Sequence, residues 1–74
     1  MHALQLTLQA RNGALTRVLG LVERRGFTPI RVGVETTDHG TLELAMDVVS
    51  QRPVQLLVRQ LTRLLEVETV EVLQ

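Results

Sequence analysis

Cysteine and lysine are absent from this chain, and so are tyrosine and tryptophan. Without cysteine there are no disulfides and no thiolate metal sites. Phe27 is the sole aromatic residue, so no platform exists on which bases could stack. Neither charge is in excess: eight basic residues, all arginine, balance eight acidic ones. Phosphate backbones are usually met by a basic surplus, so nucleic acid is not expected as a partner. No apolar run approaches the ~18 residues of a membrane span. The start "MHALQLTLQA" lacks the basic segment and apolar block of a signal peptide. A cytoplasmic protein with no membrane partner is expected.

Chemistry-bearing side chains are equally sparse. His2 and His39 are the only histidines. One lies at the terminus and the other in a turn-like stretch, and both read as solvated. Ser50 is the only serine, and it reads as a helix cap rather than a nucleophile. No catalytic residue and no metal ligand is therefore assigned. The 74 residues form one domain, 1–74, with no linker-like division. So small a core leaves a thin stability margin, which self-association would widen.

What is present is periodicity. "ALQLTLQ" alternates, with Leu4, Leu6 and Leu8 on one face, the mark of a strand buried on one side. Leu15, Val18, Leu19 and Val22 then follow helical spacing. Asn12 is placed as N-cap, and Gly26 as the left-handed end, with Arg24 and Arg25 at the negative pole of the dipole. "TPIRVGVET" alternates through Ile30, Val32 and Val34. "TLELAMDVV" alternates through Leu42, Leu44, Met46 and Val48. Between them "TTDHG" signals a hairpin with Gly40 at positive φ. Ser50 is placed as the cap of a second helix with Pro53 in its first turn. Val54, Leu57, Val58, Leu61, Leu64 and Leu65 form that helix's stripe. "VETVEVLQ" closes with a short strand through Val70 and Val72.

The order βαββαβ predicts a ferredoxin-like α+β sandwich, with an antiparallel sheet in the order 4-1-3-2 and both helices on one face. The other face carries Gln5, Thr7, Gln9, Arg31, Gly33, Glu35, Glu43, Ala45 and Asp47 and stays wet. The third element lies at a sheet edge. Its residues Arg31, Val32, Gly33 and Val34 are candidates to pair with a second copy, giving a homodimer. Ala14, Gly20 and Leu21 flank the first helix's stripe, open either to the second helix or to the second subunit. Leu56 falls on the polar side of the second helix beside Arg59 and Arg63, and the three are candidates for a partner contact. Glu66, Glu68 and Glu71 read as a solvated strand face.

The turn "ARNGALTRV" holds the one candidate ligand site. A helix N-terminus offers free N–H groups to a carboxylate, and Gly13 lets a ligand approach the backbone. A tight turn with no ligand accounts for the same glycine.

Three stretches resemble a known family. "GALTRV" at Gly13–Val18, "RGF" at Arg25–Phe27 and "QLTRLLEV" at Gln60–Val67 are similar in order and spacing to the small regulatory subunits of acetolactate synthase. The likeness runs from about Leu4 to Val72. Those subunits begin with an ACT domain, a βαββαβ amino-acid-sensing module. This chain resembles their short type, essentially an ACT domain alone. The resemblance implies a non-catalytic subunit that binds and activates a large catalytic subunit. That large subunit would carry thiamine diphosphate, Mg²⁺ and FAD; no cofactor is expected on this chain. It also implies a branched-chain amino acid pocket at an ACT dimer interface, built here from Asn12, Gly13, Ala14, Leu15, Thr28 and Ile30. Valine-responsive relatives carry asparagines where this chain has Ala10 and Thr28, so weak or absent valine inhibition is expected. The alternative is a stand-alone amino-acid-binding ACT sensor. An acylphosphatase-like enzyme on the same fold needs a longer phosphate-cradling loop around Arg11 than this turn provides.

Overall fold

A computed structural model describes residues 1–73. The elements run β1 (His2–Gln9), α1 (Ala14–Arg24), β2 (Thr28–Thr36), β3 (Thr41–Val49), α2 (Val54–Leu61) and β4 (Val67–Val72). The strands form one antiparallel sheet in the order β2-β3-β1-β4, covered on one face by both helices. This is the predicted ferredoxin-like topology. Leu4, Leu6 and Leu8 of β1 and Leu44, Met46 and Val48 of β3 pave the covered face, all nearly or fully buried. Alternation at period two therefore reads directly as burial in the two central strands.

The helical faces differ from their sequence pattern in two places. In α1 the buried residues are Ala14, Val18, Leu21 and Val22, while Leu15 and Leu19 are only half-buried. The stripe is rotated toward Leu21, so Ala14 and Leu21 belong to this chain's own core. Gly20, the third residue of that flank, remains partly exposed. In α2 the helix stops at Leu61, where Leu64 and Leu65 were expected to continue it. Beyond that point the chain turns, helical phase is lost, and Leu65 is left 85% exposed.

The caps also differ. Gly13, at φ 80°, stands at the N-cap of α1 in place of Asn12, and no side chain caps it. Ser50 does not cap α2. Its Oγ accepts the Arg52 N–H at 3.0 Å in a local turn, and extended Pro53 precedes the helix. The end of α1 follows expectation: Gly26 has φ 87°, its N–H reaches Glu23 O at 3.1 Å, and the Phe27 N–H reaches Val22 O at 3.1 Å. This pair of bonds closes a Schellman motif, and Phe27 and Val22 both enter the core beneath it. The hairpin glycine, Gly40, has φ 76°.

Strand β2 is the bare edge. Its pairing with β3 slips between Ile30 and Gly33, so that Arg31 and Val32 together oppose Met46. Arg31 sits at φ 51° in this bulge and reaches Asp47 on the open face at 2.8 Å. The slip corrects the simple alternation. Ile30 pairs with Asp47 on the open face, whereas Val34 pairs with Leu44 on the covered face.

Candidate functional site

The turn between β1 and α1 is closed by its own chain. The Ala10 N–H binds Gly40 O, the Ala14 N–H binds Arg11 O, both at 3.0 Å, and the Arg17 N–H binds Gly13 O at 2.9 Å. The Ala14 N–H, expected free for a ligand, is thus already used. Among the described residues the N–H groups of Gly13 and Leu15 have no backbone acceptor. Arg17 arches back over the turn, its Nη2 donating to Asn12 O at 3.0 Å. A Cβ added at Gly13 would lie 2.9 Å from Arg17 Nη1. Glycine is required here for its positive φ, and an added Cβ would also push the guanidinium end of Arg17 aside.

The other end of Arg17 holds Glu66. Arg17 Nε donates to Glu66 Oε2, and Glu66 is the one buried charged residue among those described. Its carbonyl also accepts the Gln9 N–H at 2.7 Å. Glu66 was read as part of a solvated strand face; instead it pins the segment between α2 and β4 to the head of α1. Its own backbone N–H bonding to the carboxylate holds its pKa below the ordinary value, with Arg17 and then Arg11 adding to that pull against the opposing effect of burial. Glu68 falls at a slip in pairing, where Thr7 opposes Thr69 and Leu8 opposes Val67. Glu71 pairs with Gln5 on the open face.

The six residues of the implied amino-acid pocket fall into two groups. Asn12, Gly13, Ala14 and Leu15 follow the end of β1, beside the Gly40 hairpin. Thr28 and Ile30 flank Pro29, which pairs with Val48, which in turn pairs with His2 at the start of β1. Seven residues of strand separate the two levels, about 23 Å at ~3.3 Å per residue. One copy of the chain does not bring them together.

The open sheet face carries side-chain hydrogen bonds. Glu43 accepts from Thr7 Oγ1 at 3.0 Å and from Gln5 Nε2 at 3.3 Å. His39 lies in the hairpin, its N–H bonded to Thr37 Oγ1 at 3.2 Å. Among the described residues no three His, Asp or Glu side chains gather where a metal could bind, and no helix is long and apolar enough to cross a membrane. Of the three candidate partner-contact residues, Leu56 is 45% exposed. It borders a shallow cavity with Arg59, and Arg63 lies outside that lining.

Four antiparallel strands in this order beneath two helices define the class, a ferredoxin-like α+β module. The chain belongs to the ACT domain family, whose model matches residues 10–70. The ACT domain is a regulatory module rather than a catalytic one. No curated protein sequence matches the chain closely enough to be called a relative. Among solved structures the chain is similar to the ACT domain of the GTP pyrophosphokinase of Chlorobium tepidum. The TM-score is 0.82 at 16% identity, covering 97% of this chain and 95% of that one. It is also similar to the acetolactate synthase small subunit of Thermotoga maritima. There the TM-score is 0.83 at 23% identity, covering 96% of this chain and 45% of that one. At these identities the likeness is one of fold.

Proposed function

We propose that this chain is a regulatory subunit of acetolactate synthase. It would bind the large catalytic subunit and stabilise its active form. The observation that carries this reading is the ordered set of motifs at Gly13–Val18, Arg25–Phe27 and Gln60–Val67, set on an ACT fold. The fold-level likeness to the Thermotoga small subunit is consistent with it. A chain without chemistry of its own acts by differential affinity. It raises activity only as far as it prefers the active conformation of its partner. Thiamine diphosphate, Mg²⁺ and FAD would then belong to that partner.

The amino-acid pocket, in this reading, needs two copies. Antiparallel pairing of two β2 edges about Val32 would set Thr28 of one copy opposite Thr36 of the other. Thr36 lies at the end that carries the Asn12–Leu15 turn, so each copy would complete the other's site. Val32 and Val34, 43% and 40% exposed, are the apolar residues such pairing would cover. The bulge at Arg31 and Val32 interrupts the edge near its midpoint, which leaves the flanking residues to pair.

Valine is expected to bind weakly. Its carboxylate would compete with Glu66 for Arg17, and its amino group would find Ala10 and Thr28 where acceptors are needed. The second reading, a stand-alone amino-acid sensor, draws on the equal likeness to the GTP pyrophosphokinase ACT domain. Co-expression with a thiamine-dependent large subunit separates the two. A stable, stoichiometric complex is expected for the first reading. Failure to co-purify, together with amino-acid binding by the chain alone, favours the second.

A further inference from the structure

A second concave site lies where the end of α1 meets α2. A cavity of about 190 Å³ is lined by Arg25, Phe27, Arg52, Leu56, Arg59 and Gln60. Three of the six lining residues are arginine and none is acidic. Among the described residues none of these arginines forms an ion pair; the two pairs present involve Arg17 and Arg31. The elements that build the site explain how the cations gather. The Schellman turn brings Arg25 to the end of α1 and buries Phe27 beneath it. Leu56, Arg59 and Gln60 share one face of α2 at i, i+3 and i+4. Arg52, in the loop before α2, lies over Gly26, where an added Cβ would come within 3.0 Å of its Nε. Gln60 Oε1 accepts from Arg25 Nη2 at 3.2 Å, holding that side chain at the cavity.

Two of these cations could serve only to complement the negative end of the α1 dipole. That explanation is incomplete. The Val22 and Glu23 carbonyls near the end of α1 are already satisfied by the Phe27 and Gly26 N–H groups. No guanidinium of the three donates to a backbone carbonyl among the described residues, and Arg59 comes from the other helix. Three like charges around one cavity repel one another, and apart from the Arg25–Gln60 bond their guanidinium donors have no protein acceptor among the described residues. A carboxylate offers one charge and two oxygens. A phosphate group offers nearly two charges and three strong acceptor oxygens, which suits three planar donor forks. A cavity of about 190 Å³, well above the ~10–15 Å³ that admits a single water, has room for a phosphate and a short organic stem. Phe27 and Leu56 supply an apolar surface for that stem.

We propose that this cavity is a binding site for a small phosphate-bearing anion, distinct from the amino-acid turn and independent of the acetolactate synthase reading. The test is titration of ¹⁵N-labelled full chain with inorganic phosphate, glycerol 3-phosphate and malonate, each against sodium chloride at matched ionic strength. Phosphate is expected to shift the amides of Gly26, Phe27, Leu56 and Gln60 with millimolar or tighter affinity and to raise the melting temperature. Stronger binding of glycerol 3-phosphate assigns the site to phosphate esters, and equal binding to free phosphate. Arg52→Gln and Arg59→Gln should each weaken binding at least about ten-fold, whereas Arg63→Gln, outside the cavity, should not. All three substituted positions are exposed, and unchanged spectra elsewhere would confirm folding. Shifts that survive in both cavity variants, shifts equalled by malonate, or no saturable response at these amides would overturn the proposal.

Discussion

Replacing Leu61 and Leu19 by alanine in separate variants tests which helical faces build the core. Leu61 is fully buried, at 0% exposure, between α2 and the sheet. Leu→Ala at such a site loses transfer energy and leaves a cavity, for about 2–5 kcal/mol. Leu19 is half-buried at the margin of the same cluster. It loses part of the ~1.5–3 kcal/mol of a fully buried leucine and leaves no enclosed cavity, for about 1–1.5 kcal/mol. A domain of 74 residues at ~0.05–0.15 kcal/mol per residue has roughly 4–11 kcal/mol to lose. Urea unfolding followed by far-UV circular dichroism, at one fixed protein concentration, reads both changes. With m near ~1 kcal/mol/M, the Leu61→Ala midpoint falls by about 2 M or more, and the Leu19→Ala midpoint by roughly half that. A larger loss for Leu19→Ala than for Leu61→Ala would put Leu19 back at the centre of the α1 stripe and refute the assigned faces. Losses below ~1 kcal/mol for both would mean that α2 does not seal the sheet.

Three further outcomes are expected. Gly13→Ala should destabilise more than Gly40→Ala: both have positive φ, at about 1–2 kcal/mol of strain, but only at Gly13 does the new Cβ displace a side chain, Arg17. Equal losses in thermal melts would remove Arg17 from the turn. For pH, Glu66 has a folded pKa below its ordinary 4.5, so its contribution is fully present above that value and is lost as pH falls through the folded pKa. Glu66→Gln should therefore flatten the acid limb of stability below about pH 4.5, and superimposable wild-type and variant limbs would contradict this. Sedimentation at tens of micromolar should give a dimer that Val34→Lys weakens; a monomer for the unmodified chain would exclude edge pairing.

Much of the fold is legible in the sequence because central strands and turn glycines answer to local rules. The leucines of β1 alternate without interruption and lie where alternation puts them. Gly26 and Gly40 supply the left-handed residues their turns require. The misses arise where tertiary contacts override the local pattern. α2 ends at Leu61 in tight turns, the Arg63 and Leu64 N–H groups reaching Gln60 O and Leu61 O. Beyond them Glu66 is held by partners that lie 49 and 57 residues earlier, at Arg17 and Gln9. An acidic residue beside an apolar run was a weak signal of this, since a buried carboxylate demands a paired cation. The bulge at Arg31 was equally hidden, because the residues of β2 alternate evenly through Ile30, Val32 and Val34 although the slip puts Ile30 and Val34 on opposite faces. The arginine cavity draws on three separate segments, and only Leu56 and Arg59 were adjacent enough on one helix to be singled out.

In the proposed function this chain raises the activity of a catalytic partner through an ACT module that valine scarcely controls. Reconstitution tests it most directly: acetolactate formation by the large subunit alone, then with increasing amounts of this chain, each with and without valine. A saturable rise in activity that reaches its plateau at a fixed stoichiometry is expected, with little inhibition at millimolar valine, a concentration that corresponds to only about −4 kcal/mol of binding. Activity unaffected by the chain at any ratio would contradict it.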